Sequence, residues 1–180
     1  MPSNVVELSF PASAHGSASV AAADRGDAGE RSLDGDRQAQ GRSMSLHVSK
    51  LRGISNQVRN QLKRHGVTYT HQLLEAAGRR QSRRELAARS GIEEATLLRL
   101  TCRADLARIK GVGAIFADML ELTGVDRVSS LARHDPGRLH EILHDLNATE
   151  RFARRAPTQD EVADWITQAR ALPHLVDPDS

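Results

Sequence analysis

One short stretch of the sequence has the residue types and spacing of a zinc site. His140, Glu141 and His144 spell H-E-x-x-H, which on a helix places two histidines on one face and a glutamate beside them as a general base. Asp145 follows the second histidine, where this motif usually carries an uncharged residue, and no further ligand is evident. The apolar residues around the motif recur at the spacing of an ordinary amphipathic helix. A zinc hydrolase is therefore a remote alternative, and His140 and His144 are only weak metal candidates.

Other catalytic signatures are missing from the sequence. The run Gly111-Val112-Gly113 is not a dinucleotide-binding loop, because no strand pattern precedes it and no third glycine follows. There is no phosphate-binding P-loop. Cys102 has no evident activating partner, so we expect it to be a small buried residue. We predict a protein without catalytic activity and without a cofactor.

A glycine turn between two apolar helix patterns has instead the features of an anion site. Two helices that reverse within a few residues need glycines such as Gly111 and Gly113, which have no Cβ. Val112 would fill the gap between the helices, and the unpaired N–H groups at the start of the second helix would attract an anion. The segment resembles the helix-hairpin-helix motif, which grips a DNA phosphate without reading the base sequence. Ile115 departs from the motif, since DNA-binding members often carry lysine or arginine there.

The turn belongs to an internal repeat with an offset of 58 residues. The run Leu51-Arg52-Gly53-Ile54-Ser55 aligns with Ile109-Lys110-Gly111-Val112-Gly113 at this offset. With seven residues added in the second copy, Leu97–Leu100 aligns with Val162–Trp165. Trp165 is interpreted as a core anchor rather than a ligand contact, because it lies on a helical apolar stripe.

The turn of the first copy is more basic than that of the second. Ser55 replaces the second glycine, where it could N-cap the next helix, and Arg59 replaces a small alanine. Arg59 and Lys63 lie four residues apart and would share a helix face. Phosphate binding needs clustered cations of this kind. The candidate nucleic-acid-binding residues are therefore Lys50, Arg52, Gly53, Ser55, Arg59, Lys63, Lys110, Gly111 and Gly113.

Charge is unevenly distributed along the chain. Residues 1–43 carry 4 basic and 6 acidic side chains, residues 44–104 carry 12 and 4, and residues 105–180 carry 9 and 13. A basic segment of this density can attract an anionic polymer. The alternatives are that the two halves attract each other, or that the arginines only keep helices soluble. A second cluster at a helix start fits either a partner anion or solvated side chains; it comprises Arg79, Arg80, Arg83 and Arg84.

Composition and capping patterns predict an all-α fold. The core must use Leu, Ile, Val and Ala, because the chain has only one Trp, one Tyr and three Phe. Thr158 with Glu161 has the spacing of a capping box, as does Ser82 with Glu85. The pair Asp135-Pro136 is typical of a helix start. We predict tandem helix-hairpin-helix (SAM-like) repeats behind a disordered tail. The expected domains are a tail at 1–43, a basic first unit at 44–104, an acidic second unit at 105–172 and a flexible C-terminus at 173–180.

Targeting and membrane signals are not evident. No apolar run approaches the roughly 20 residues that span a bilayer. The start, Met1-Pro2-Ser3-Asn4, lacks the basic region of a signal peptide. The single cysteine, Cys102, cannot form an internal disulfide, which favours a reduced, cytoplasmic protein.

Longer motifs resemble a bacterial family of paired hairpins that is known only as domain of unknown function 4332. The motifs include Arg83-Arg84-Glu85-Leu86-Ala87, Gly91-Ile92, Ala104-Asp105-Leu106, Gly124-Val125-Asp126 and Trp165-Ile166. The resemblance extends over residues 48–171. It implies an all-helical fold, but it brings no activity, cofactor or catalytic residue.

Two functions fit these patterns. The first is sequence-independent binding of a DNA or RNA backbone by the basic turn and its cations, helped by the turn amides. The second is a protein-protein interaction or scaffold module whose turns are purely structural. Ile115 and the acidic second half favour the second function.

Overall fold

The computed structural model describes residues 45–177, and the regular secondary structure of this range is helical. The predicted all-α fold is confirmed. The tail predicted at residues 1–43 lies outside the described residues. A short 3-10 turn at Val48–Lys50 comes first. The helices that follow are α1 (Asn56–Arg64), α2 (Thr70–Ala77), α3 (Arg80–Ser90), α4 (Glu94–Leu106), α5 (Ala114–Leu122), α6 (Val128–Leu131), α7 (Pro136–Glu150) and α8 (Gln159–Ala171).

Local capping signals place the starts of the last two long helices. The Thr158 hydroxyl accepts from the Glu161 N–H at 3.2 Å, and the Glu161 carboxylate accepts from the Thr158 N–H at 2.8 Å. The predicted capping box of α8 is therefore confirmed. Asp135 accepts from the Arg138 N–H at 2.9 Å and caps α7, with Pro136 in its first turn. These partners are three residues apart, so the sequence pattern alone identifies them.

The capping box predicted at Ser82 and Glu85 is wrong. Helix α3 begins earlier, at Arg80, so Ser82 lies inside its first turn. The acceptor at this helix start comes from the far end of the described chain, because Asp177 accepts from the Arg80 N–H at 3.3 Å. A cap supplied from a distant segment leaves no trace in the local sequence.

The chain from residue 173 to residue 177 packs against the first half. Val176 is buried in the core that α1–α4 form, and the carbonyl of Leu175 lies against Gly78 where a side chain would not fit. The Asp177 N–H donates to the Gly78 carbonyl at 2.9 Å. The flexible C-terminus expected from residue 173 therefore does not describe residues 173–177. Residues 178–180 lie outside the described residues.

Buried apolar side chains form two clusters along the chain. One extends over residues 48–104 and includes Val176; the other extends over residues 106–169. Trp165 is 2% exposed and packs in the second cluster, which confirms its interpretation as a core anchor. Each fully buried leucine of these clusters stabilises the fold by roughly 1.5–3 kcal/mol.

Two glycines that lie 58 residues apart share an unusual backbone conformation. Gly53 has φ +77° and Gly111 has φ +91°. Positive φ is strained for residues with a Cβ, so glycine is the residue that permits both turns. The two segments, residues 51–55 and residues 109–113, are called the first turn and the second turn below.

Candidate functional site

The first turn is held by one arginine and closed by one serine. Arg103, from α4, donates a short hydrogen bond to the carbonyl oxygen of Arg52, and its guanidinium lies over Gly53. The Ser55 hydroxyl accepts from the Val58 N–H at 3.2 Å, so the expected N-cap of α1 is confirmed. Ser55 thus already satisfies one of the amides that an anion at this turn would use.

Helix α8 holds the second turn. The Gln168 amide accepts from the Lys110 N–H at 2.8 Å and donates to the Lys110 carbonyl at 3.2 Å. A Cβ added at Gly111 would lie 2.8 Å from the indole nitrogen of Trp165, so the turn fits closely on that ring. Gly113 is the N-cap residue of α5, and it has no side chain that could accept a hydrogen bond from the helix amides. Lys110 is exposed. The first amides of α5 therefore lack the side-chain acceptor that Ser55 provides in α1.

The two turns meet around a cavity of about 70 Å³. Of the predicted site residues, the structure brings Lys50, Arg52 and Gly113 to this cavity. Arg52 pairs there with Asp118 of α5. Because that carboxylate neutralises Arg52, a phosphate would have to compete with it for the guanidinium.

A second charge pair links the basic half to the acidic half. Arg103 binds Glu121 through two hydrogen bonds of 2.7 Å, and its guanidinium lies 3.4 Å from Asp118. Bidentate arginine–carboxylate pairs of this kind are among the stronger ionic contacts. For Arg52 and Arg103, the interpretation that the two halves attract each other is the one the contacts support.

Carboxylates of the same chain pair with arginines of the second cluster, at the start of α3. Arg79 pairs with Asp177 at 3.0 Å, and Arg84 pairs with Glu94 at 3.5 Å. Arg83 is fully buried and donates to the carbonyls of residues 77 and 78 at 3.1 and 3.3 Å. These contacts make the cluster part of the fold at the start of α3.

Arg59 and Lys63 occupy a different setting. Both lie on α1 and line a cleft of about 240 Å³, called the α1 cleft, together with His47, Ser49, Asn60, Val48, Val67 and Thr68. Arg59 is half-buried and Lys63 is exposed. Among residues 45–177 no carboxylate lines the cleft, and neither cation has an acidic partner there. The α1 cleft is therefore a polar recess with uncompensated positive charge.

Three rings lie beside the α1 cleft, and the sequence patterns did not identify them as part of a site. The ring centroids of His47 and Tyr69 are 5.6 Å apart with their planes at 74°, and those of Tyr69 and His71 are 5.9 Å apart with their planes at 21°. Tyr69 is 44% exposed. A two-residue antiparallel pairing of His47 with Tyr69 brings the segments together. In the sequence, the only sign of this ring group is Tyr69, the single tyrosine of the chain. It lies between Thr68 and Thr70, two residues before His71.

The zinc motif of α7 forms no built site within the described range. The ring centroids of His140 and His144 lie 6.1 Å apart, and His144 Nδ1 lies 3.6 Å from a carboxylate oxygen of Asp145. Among residues 45–177 no group of three potential metal ligands comes together.

Cys102 is buried at the inner face of α4. Burial, followed by the nearby Asp126 carboxylate, raises the pKa of its thiol to about 12. The thiol is therefore protonated at neutral pH and is a poor nucleophile. In the part of the chain that the structure describes, no helix is long and apolar enough to cross a membrane.

The chain belongs to the family described as Domain of unknown function (DUF4332), whose sequence model matches residues 52–172. The match contains all of α1–α8, so the resemblance inferred from the sequence motifs is confirmed. No curated protein and no solved structure matches the chain.

Proposed function

We propose that this protein binds the phosphate backbone of DNA or RNA without reading its sequence, and that it is not an enzyme. The observation that carries the proposal is the α1 cleft. Arg59 and Lys63 lie four residues apart on one helix and line a recess to which the described part of the chain contributes no carboxylate. The arginines at the first turn, Arg52 and Arg103, pair with acidic residues instead. Binding of a phosphate there would release counterions from the nucleic acid, which favours association at low salt.

The two turns are interpreted as helix-hairpin-helix elements in tandem copies. Three features support this interpretation: the positive φ of Gly53 and Gly111, the 58-residue offset between them, and the equivalent bracing of each turn from a later helix. In this proposal the amides that begin α5, with the exposed Lys110 and with Lys50 nearby, are a secondary phosphate contact. Arg52 contributes less than the sequence suggested, because Asp118 holds it.

The test is a binding titration of the full chain against labelled single-stranded and duplex DNA over a range of salt concentrations. The variant Arg59→Glu with Lys63→Glu removes both cleft cations. Its matched control, Arg133→Glu with Arg154→Glu, makes the same change in net charge at two exposed arginines of the second half. We expect the cleft variant to lose binding and the control to retain most of it. The slope of log K against log salt should become shallower by about 1 for each phosphate that the protein no longer neutralises.

A comparison of the two variants separates binding at the α1 cleft from attraction that depends only on net charge. Equal losses in the two variants would mean that overall charge, not the α1 cleft, attracts the nucleic acid. No binding of the unmodified chain even at low salt would remove the proposed function.

The second candidate function is a protein-interaction module. Leu122 is 61% exposed and lines an open cleft with Phe152, beside the acidic side chains of Asp118 and Glu121. Exposed apolar side chains rimmed by charges are typical of protein interfaces. A photo-crosslinking residue at position 122, compared in cells with one at position 60 in the α1 cleft, tests this candidate and leaves Arg59 and Lys63 in place. Crosslinks to one defined protein from position 122, with no nucleic acid captured from position 60, would favour it.

We further propose a cytoplasmic location. Cys102 is the single cysteine of the chain and is buried as a free thiol. A reducing compartment is the ordinary setting for such a residue. Fractionation of cells that express the full chain tests the location directly.

A further inference from the structure

We propose that Tyr69 stacks on an unpaired base, so that the ligand of the α1 cleft is single-stranded rather than duplex nucleic acid. This inference rests on the proposed function, because it adds a base contact to the phosphate contacts of Arg59 and Lys63. It concerns residues that the sequence patterns did not include in the candidate site.

The rings form a short stack at the protein surface. Tyr69 and His71 lie nearly parallel, with planes at 21° and centroids 5.9 Å apart, and His47 meets Tyr69 edge-on. Tyr69 leaves 44% of its surface in solvent, and both histidines are exposed. An exposed aromatic stack is a platform that one further planar ring can extend.

The stack and the cations belong to one continuous surface. His47 is a member of the ring group and also lines the α1 cleft, and Thr68, the neighbour of Tyr69, lines the cleft as well. In this proposal a nucleic-acid strand with its phosphates against Arg59 and Lys63 reaches the ring group where His47 lines the cleft. Alternating cations and aromatic side chains along one groove are the usual means of holding a single strand.

The backbone that carries the rings is held in place. The Thr68 and Tyr69 N–H groups both donate to the Gln72 side chain, at 2.8 and 3.0 Å. The Val48 N–H donates to the Thr68 carbonyl at 2.9 Å, and Ser49 binds the His47 ring at 2.8 Å. Because the platform is already ordered, a base that stacks on it loses little binding free energy to ordering the protein.

The preference for a single strand follows from base geometry. In a duplex, both faces of each base are covered by its neighbours, so a protein ring cannot stack on them without unpairing the duplex. In a single strand a base can turn outward and keep its phosphate near the cations. Stacking on aromatic side chains tolerates every base, which agrees with binding that does not read sequence.

The experiment uses the full chain labelled with 3-fluorotyrosine. The chain contains one tyrosine, so its ¹⁹F spectrum reports on Tyr69 alone. The probes are oligodeoxythymidylate of about 16 nucleotides and a duplex of the same length. We expect the single strand to bind more tightly and to shift the ¹⁹F resonance. Replacement Tyr69→Ala should weaken single-strand binding roughly tenfold and leave duplex binding unchanged, whereas Tyr69→Phe should bind as the unmodified chain does.

The two proposals fail in different ways. If Arg59→Glu with Lys63→Glu abolishes binding but Tyr69→Ala has no effect and the ¹⁹F resonance does not move, the stacking inference is wrong and phosphate binding stands. A duplex bound as tightly as the single strand, with no ¹⁹F shift, would also overturn it. If neither probe binds at low salt, both proposals fail. The ¹⁹F measurement needs no substitution, so it decides the matter even where Tyr69→Ala disturbs the fold.

Discussion

Arg103 and Gln168 make the same hydrogen bond in the two halves of the protein. Each donates from its side chain to the carbonyl oxygen of the residue before the left-handed glycine of a turn, Arg52 in the first turn and Lys110 in the second. The two acceptors are 58 residues apart, and the two donors are 65 apart because the second half contains seven more residues before α8. Braced turns of this kind hold backbone amides and neighbouring cations in fixed positions.

Replacement of Arg103 should destabilise the first turn to a degree that depends on the substitute. Arg103→Leu removes the bond to the Arg52 carbonyl and both bonds to Glu121, so we expect a loss of about 1.5–3 kcal/mol, the range for hydrogen bonds to charged groups. Arg103→Gln places in the first half the residue type that does the same task in the second, and it should lose less. Urea unfolding of both variants measures the difference.

A double-mutant cycle isolates the contribution of the Arg103–Glu121 pair to the free energy of unfolding. With Glu121→Gln as background, Arg103→Leu should be less destabilising than in the unmodified protein. Equal losses in both backgrounds would show that the pair with Glu121 contributes nothing to the Arg103 effect.

The fit of Gly111 on Trp165 predicts a graded response to alanine. Gly111→Ala places a Cβ 2.8 Å from the indole nitrogen of a ring that is almost completely buried, and it also forces a positive φ on alanine. Gly66 also has a positive φ but has open space around it, so Gly66→Ala should lose only the roughly 1–2 kcal/mol of left-handed strain. Overpacking should add roughly 1–3 kcal/mol at position 111.

Chemical unfolding followed by the fluorescence of Trp165, the only tryptophan, measures both glycine variants. Equal destabilisation at positions 66 and 111 would mean that the Trp165 ring moves aside at little cost and that the close fit of Gly111 on the ring does not stabilise the turn.

Features set by neighbouring residues could be predicted from the sequence. The caps of α7 and α8 are examples, since Asp135 and Thr158 bond to amides three residues away. The all-α fold and the burial of Trp165 also follow from apolar residues that recur along the chain at helical spacing.

Features set by distant residues could not be predicted. The cap of α3 by Asp177, the pairing of Arg52 with Asp118 and the pairing of His47 with Tyr69 each join segments far apart in sequence. Such long-range contacts also decide which of the predicted cations remain available for binding. The sequence identified cations near the first turn, but only the packed chain distinguishes Arg52, which has a carboxylate partner, from Arg59.

Burial of Cys102 predicts a thiol that is inert while the protein is folded. Because its pKa is raised to about 12, less than a thousandth of the thiol is ionised at neutral pH, and side chains cover the sulfur. Ellman's reagent at neutral pH should therefore label the native chain slowly. After urea unfolding it should report one thiol per chain, which serves as the control. Rapid stoichiometric labelling of the native chain would show that α4 opens readily or that the sulfur is accessible.

The capping box of α8 predicts a stability that depends on pH. Hydrogen bonds from Arg155, and then from the Thr158 N–H, lower the pKa of Glu161 from 4.5 to about 2 in the folded chain. A carboxyl whose pKa is lower when folded than when unfolded stabilises the fold above its unfolded pKa, and that contribution is lost as the pH falls from about 4.5 towards 2. Glu161→Gln keeps an acceptor for Thr158 but cannot ionise. The free energy of unfolding should therefore be lower in the variant than in the unmodified chain at neutral pH, and the two should converge near pH 2.

Unfolding in urea at several pH values measures this convergence, and added salt should reduce the difference at neutral pH because the Arg155–Glu161 pair lies at the surface. Thr158→Ala is the matched control: it removes the hydroxyl acceptor of the Glu161 N–H, so its effect should persist at low pH. A protonated glutamic acid and a glutamine differ little in charge and shape. A Glu161→Gln difference of the same size at pH 2 and pH 7 would therefore show that ionisation of Glu161 is not its source.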